Sequence, residues 1–478
     1  LASAALVAIS APALANVDLS YLRGLLDTTP AGGWVQVNAN RFSDAWNLNG
    51  PGALPDGSYS DPSRVARAWS SFAWDSRRGQ LYLYGGGHAN YMGNEMYVWQ
   101  GSTGLWTRGS LPSRMERYGN TATFFTVDDA APQSAHTYDN TVYLPVNDRY
   151  LIFGGAAFNS GGAYVVRNAS GDPVRAGPWL WDPSKADPNK VGGTDGSGYE
   201  PSSPGGNMWS NQQGRWTGTQ APDYIESNTA YLNENGKDVV YVASAAGGSG
   251  RQDLYRYELG DVSAGEFGSF QKVGTGDAVV SFQSAATIDS HHGLYIRTAA
   301  HRDFYEEFKG FGVWQLANNN AANPGANQVQ YVELRFEDGA QYAINRQHGI
   351  AFDEFSGKIL LWDGRERGTL YETEAAFDND GRLLSTWTVR RLLSATDAQP
   401  NGNFMADASN ESGVLGKFHF VSELGAFIAL DQYSGATMDA GVWLYKPLVA
   451  VIPEPTSVAM LLTGLGLIAP AVRRRRIA

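Results

Sequence analysis

A unit of short strands and turns recurs along most of this chain, and that recurrence limits its fold more than any other feature. The clearest copy runs from Ser71 to Arg108, with strands expected near 71–75, 80–84, 95–99 and 104–108. Leu81 and Leu83 alternate with Tyr82 and Tyr84, the period of a strand. The turns Asp75-Ser76-Arg77-Arg78-Gly79 and Gly101-Ser102-Thr103-Gly104 carry the residues that hairpins favour. Further copies start at Ser134, near Ser227, near Ser284, at His348 and at Gly413. A lone strand, Gly33-Trp34-Val35-Gln36-Val37, precedes the first copy and has no partner there. It suits the outer strand of the last copy, where it would close a ring. Units of four antiparallel strands at this spacing predict an all-β chain folded as a single β-propeller of six or seven blades. The seventh blade would have to come from the irregular stretch 180–223.

Composition agrees with many strands joined by turns: 56 Gly, 24 Tyr and 14 Trp in 478 residues. The formal charge is −12 and the body has no long basic stretch, which argues against nucleic acid as a partner. Cysteine is absent, so disulfides, thiolate metal sites and a cysteine nucleophile are excluded.

The two ends read as addresses. Residues 1–15, LASAALVAISAPALA, form an apolar run ending in Ala13-Leu14-Ala15, the small-x-small pattern of a signal-peptide cleavage site. Pro12 and the small residues suit cleavage better than a buried helix. The propeller domain is expected over 16–450 and a tail over 451–478. In that tail Pro453-Glu454-Pro455 precedes an apolar run, Val458 to Val472, and then Arg473 to Arg476. The run is short for a membrane span, and the arginines would stay cytoplasmic. This tripartite tail resembles the PEP-CTERM sorting signal of Gram-negative bacteria that make extracellular polysaccharide. The resemblance implies export to the periplasm, outer surface or extracellular matrix, with exosortase and the secretion machinery as partners. The membrane would be met only through the tail. Removing the tail leaves a body of charge about −15, an acidic surface.

The repeats themselves resemble kelch units. A glycine doublet follows the second strand at Gly86-Gly87 and Gly154-Gly155, then a Tyr and a Trp, as at Tyr97 and Trp106. The last two copies lack the doublet and depart from the pattern. Two stretches, 40–64 and 184–222, do not repeat and read as loops folded over one face.

Four of the seven histidines fall at two equivalent places in the unit. His88 and His301 end second strands, while His136 and His348 open first strands. In a ring of antiparallel units those positions share one face, so the four should converge on a rim. Arg365 ends another second strand, and Tyr91, Tyr138 and Arg302 lie nearby in sequence. A single histidine in a β protein is more often structural, but four at equivalent positions favour a polar pocket. His291, His292 and His419 fall in turns or mid-strand and read as ordinary.

Histidine, tyrosine and arginine without a carboxylate pair suit abstraction of the proton beside a sugar carboxylate. GGGHANY followed by SAHTYD resembles propeller-type polysaccharide lyases, the ulvan lyases among them. That resemblance implies β-elimination on a uronic-acid polysaccharide. His88 and His136 would be base and carboxylate neutraliser in one order or the other. Tyr138 and Arg365 are further catalytic candidates, and Tyr91, His301, Arg302 and His348 would contact substrate. A non-catalytic carbohydrate-binding or matrix propeller is the alternative. Histidines could also hold a structural divalent metal, zinc or calcium. Asp378-Asn379-Asp380-Gly381 lacks the downstream glutamate of a calcium loop and reads as a hairpin turn. A copper radical oxidase of the galactose oxidase kind needs a cysteine that this chain lacks.

Overall fold

A computed structural model describes residues 17–46, 54, 60–219, 227–245, 252–276, 284–298, 310–340, 348–364, 366–401 and 413–448. The expected signal (1–15) and tail (451–478) lie outside these residues. So do His301, Arg302 and Arg365.

Each repeat folds as a meander of four antiparallel strands. Unit I is Phe72–Asp75, Gln80–Leu83, Tyr97–Gln100 and Leu105–Arg108. Unit II is Thr141–Leu144, Arg149–Ile152, Trp179–Trp181 and Trp209–Asn211. Unit III is Asn228–Glu234, Lys237–Ala245, Gln252–Glu258 and Gly268–Gly274, with Trp216–Gly218 added parallel at its edge. Unit IV is Ala286–Asp289, Leu294–Thr298, Gly310–Gln315 and Gln330–Phe336. Unit V is His348–Asp353, Lys358–Asp363, Leu370–Thr373 and Thr386–Leu392, and its outer strand pairs parallel with that of unit IV. Unit VI is Phe418–Val421, Ala426–Leu430 and Val442–Tyr445, completed by Trp34–Gln36 from the N-terminal side. Trp34 pairs with Tyr445 and Gln36 with Trp443. The unpartnered strand at the start of the repeats is thus the outer strand of the last.

The first hairpin turn of several units is set by one aspartate. Asp75, Asp289 and Asp353 end first strands, and each accepts hydrogen bonds from two backbone N–H groups of its turn through Oδ1. Four residues later stands Gly79, Gly293 or Gly357, at φ +64° to +73°, where a side chain would be strained. Aspartate to glycine over five residues is therefore the local code for these reversals.

Second strands are buried on both faces, and their two-residue period hands alternate side chains to opposite neighbours. Leu81 and Leu83 pack against unit VI, while Tyr82 and Tyr84 pack against unit II. Ile359 and Leu361 face unit IV, while Leu360 and Trp362 face unit VI. Two further clusters fill the seams II–III and III–IV. The first strands of successive units lie side by side from I to VI. Phe72 N then donates to Gly416 O at 3.2 Å, which joins VI back to I. The arrangement is propeller-like, with its core in the seams between units.

Several expectations need correction. Residues 180–218 form no additional unit; they supply two strands of unit II and the added edge strand of unit III. The first strand of unit II begins at Thr141, not at His136. Tyr138 turns the chain with φ +51°, so His136 sits in a separate two-residue strand that pairs with Ala156–Ala157. The stretch 40–64 was expected to be loop only, yet Phe42–Ala45 and Ser63–Arg67 are helical. An amphipathic helix, Ser20–Thr28, buries Leu22 and Leu26 against the seam VI–I. No helix among the described residues is long and apolar enough to cross a membrane.

Candidate functional site

The glycine runs of units I and II share one purpose, which is to let the backbone around His136 pass between them. A Cβ on Gly87 would lie 2.4 Å from Ala135 N, and one on Gly155 would lie 2.2 Å from His136 O. Both distances are far inside van der Waals contact, so side chains at these two points would expel the His136 strand. Ser134 Oγ donates to Gly85 O at 3.0 Å, which pins the same segment.

The segment presents His136 to the His88 turn. The two imidazoles meet edge to face, with centroids 5.3 Å apart and planes at 88°. His88 and Ala89 both have positive φ, +47° and +66°, conformations that turn the His88 ring out to the exposed rim. Behind His136 the Trp69 ring stacks at 4.6 Å, and Tyr138 stands edge-on at 6.1 Å. Tyr138 N donates to Trp69 O at 2.7 Å, so the two flanking residues are fastened to one another.

His136 is only 3% exposed. Burial, and then the neighbouring His88 charge, hold its pKa well below the ordinary histidine value. His136 is therefore neutral at neutral pH. Its Nε2 lies 2.7 Å from Asn90 Oδ1. A carboxamide oxygen accepts only, so Nε2 carries the proton and Nδ1 holds the free lone pair. Among the described residues no carboxylate touches either imidazole, and no three His, Asp or Glu side chains converge to hold a metal ion.

Other expected positions lie in the interior. Tyr91 is 2% exposed, and its hydroxyl donates to Glu95 Oε1 at 2.5 Å, a carboxylate that also accepts from Tyr97 at 2.6 Å. His348 is fully buried and pairs across the hairpin with Asp363, at 3.3 Å from Oδ2. His348 is turned inward from its strand, and Tyr91 is drawn inward from the loop ahead of Tyr97–Gln100 by the Glu95 carboxylate, so neither reaches the rim. The structure thus brings together His88, His136 and Tyr138, and it adds Trp69 and Asn90, which sequence reasoning passed over. Asn90 was visible in the GGGHAN run, two residues beyond His88. Trp69 had no signal beyond its place just ahead of the first strand.

The last segment of the chain, residues 451–476, matches the PEP-CTERM protein-sorting motif. This indicates export to the cell envelope or surface of a Gram-negative bacterium and recognition by exosortase-type sorting machinery. No curated protein matches the chain in sequence. Among solved structures, the chain is similar to an α-L-arabinanase of Penicillium chrysogenum complexed with arabinobiose, at 12% identity and TM-score 0.39, over 81% of this chain and 96% of that one. It is also similar to PorZ, a surface component of the type-IX secretion system of Porphyromonas gingivalis, at 13% identity and TM-score 0.35, over 82% of this chain and 48% of that one. A thermostable family-43 glycoside hydrolase aligns at 12% identity and TM-score 0.28, over 70% and 92% of the two chains.

Proposed function

We propose that this is an exported six-bladed propeller whose His88–His136 rim binds a uronic-acid polysaccharide and cleaves it by β-elimination. The observation that carries the reading is the pairing of a buried, neutral His136 with an exposed His88 at 5.3 Å. In this reading His136 Nδ1 takes the proton beside the sugar carboxylate. The electron pair left behind forms a carbon–carbon double bond, and the bond to the leaving glycosidic oxygen breaks. Tyr138, 6.1 Å from the His136 ring, supplies the proton to that oxygen. His88 meets the substrate carboxylate and stabilises the charge that develops on it. Asn90 keeps Nε2 protonated, so the accepting nitrogen stays Nδ1. Arg365, His301 and Arg302 belong to the same proposal as rim residues. The segments 1–15 and 451–478 act as export and sorting signals around a propeller body.

A second reading has one observation in its favour. Trp69 stacks on His136, and an aromatic face at the site suits holding a sugar without turnover. The test is to mix the purified protein with a panel of uronic-acid polysaccharides and follow ultraviolet absorbance of an unsaturated uronate. A rise that His136→Ala abolishes supports elimination. Tight binding to one polymer with no rise replaces the lyase with a glycan-binding surface protein.

A further inference from the structure

The seam between units III and IV holds a guanidinium that no carboxylate among the described residues neutralises. Arg297 is 2% exposed, near the end of the second strand of unit IV. Among the described residues neither Nε nor Nη1 has a hydrogen-bond acceptor, and no carboxylate acts on the group. Its cross-strand neighbours are Ala286 and Gly312, which offer no side chain to cover or pair with it. Two of the aromatic groups beside it are committed elsewhere. Trp314, whose ring lies 5.9 Å from the guanidinium carbon, donates Nε1 to Thr275 O, and Tyr295 donates to Asn228 O. Burial lowers the arginine to about 10, which still leaves it charged at neutral pH. A buried charge with no counter-charge is strongly unfavourable, and protein interiors rarely keep one without a ligand.

We propose that Arg297 is the anchor of a second binding site, for the carboxylate of an acidic sugar, on the same face of the ring as the histidine pair. One buried cation matches one negative charge; a phosphate dianion would leave a net negative charge in the seam. The planar guanidinium matches a planar carboxylate, which its fork can hold by two parallel hydrogen bonds. The guanidinium lies in the III–IV seam, whereas the imidazole pair is held by the segments that follow strands of unit I and precede unit II, so the two sites can be tested separately.

The experiment is thermal unfolding of the full chain titrated with sodium glucuronate, at ionic strength held constant with sodium chloride. The expected result is a saturable rise in melting temperature that glucose does not produce and that inorganic phosphate reproduces only weakly. Arg297→Met should melt higher than wild type without ligand and show no rise with glucuronate. Arg297→Lys keeps the charge but loses the fork, and should need about ten times more glucuronate for the same rise. His136→Ala should keep the full response, which separates this site from the other. The proposal is overturned if wild type gives no saturable rise, or if Arg297→Met responds as wild type does. A lowered melting temperature in Arg297→Met would also overturn it, by showing that the arginine is paired within the protein.

Discussion

His88 sits edge-on to His136 at 5.3 Å, one imidazole exposed on the rim and the other buried beneath it. The two residues are thereby suited to different tasks: the outer ring is open to the carboxylate of a polymer, and burial keeps the inner one in its proton-accepting form. The folded pKa of His136 is below its ordinary value of 6.5, so its proton-accepting form persists as pH falls. We expect the initial rate of elimination to rise with pH through a value below 6.5 and then level off. His136→Ala should abolish the rate, and His88→Ala should lower it by about 100-fold, mainly through loss of charge stabilisation. A rate insensitive to both substitutions would remove the pair from the mechanism.

Gly161 offers a way to move His88 without touching it. A Cβ at this position would stand 2.4 Å from His88 Cε1, and φ is +69°. Gly161→Ala should displace the ring and cost about 1 kcal/mol of stability from the backbone alone. We expect activity to fall further than that loss of stability accounts for, with the far-ultraviolet circular dichroism spectrum unchanged. Activity equal to wild type would show that the position of the His88 ring does not matter.

Ring closure depends on Trp34, which is 1% exposed, donates Nε1 to Gly368 O at 2.8 Å and packs on Trp362 and Tyr445. Trp34→Ala should cost about 3–5 kcal/mol, read from the denaturant midpoint. Omitting residues 17–37 should expose the Val442–Tyr445 edge, and association of chains by light scattering is the expected outcome.

Asp139 lies where the units meet. Its Oδ2 accepts Ala286 N at 2.8 Å from unit IV, its carbonyl accepts Thr229 N at 2.9 Å from unit III, and a Cβ on Gly416 would come within 2.3 Å of its Oδ1. Burial raises its pKa well above 3.8. Between 3.8 and that raised value the folded chain holds a proton the unfolded chain has lost, so stability falls as pH climbs. The benefit is complete below 3.8. Asp139→Asn keeps an acceptor for Ala286 N and removes the titration. We expect it to be more stable than wild type at pH 7 and to match it near pH 3.5. A variant less stable than wild type at pH 7 would show that the carboxylate is needed in its charged form.

The repeat, its strands and the partner of the lone N-terminal strand were all legible from the residues. Aspartate-to-glycine turns and the alternation of Leu81 and Leu83 with Tyr82 and Tyr84 are local signals, because hairpins and strand faces depend on neighbours two to five residues away. The convergence of His88 and His136 was expected from their places in the unit, but His136 reaches His88 from a separate two-residue strand rather than from the first strand of unit II. Tyr91 and His348 went the other way. Their positions in the unit were equally suggestive, but whether a strand residue such as His348 or a loop residue such as Tyr91 turns inward depends on tertiary packing and on partners such as Asp363 and Glu95. Trp69 carried no signal, and Asn90, though near His88 in the run, showed no role, since both roles exist only once Trp69 lies behind the His136 strand and Asn90 beside it.

The sequence by itself therefore determined the kind of fold, how the ring closes, and the sorting motif at the chain's end. Each of these rests on short-range pattern or on a contiguous motif. Only the tertiary structure decided which histidines are buried, which nitrogen of His136 is free, and that Arg297 has no counter-charge among the described residues. Burial, hydrogen bonding and charge pairing are set by residues brought together across seams, and no period along the chain records them.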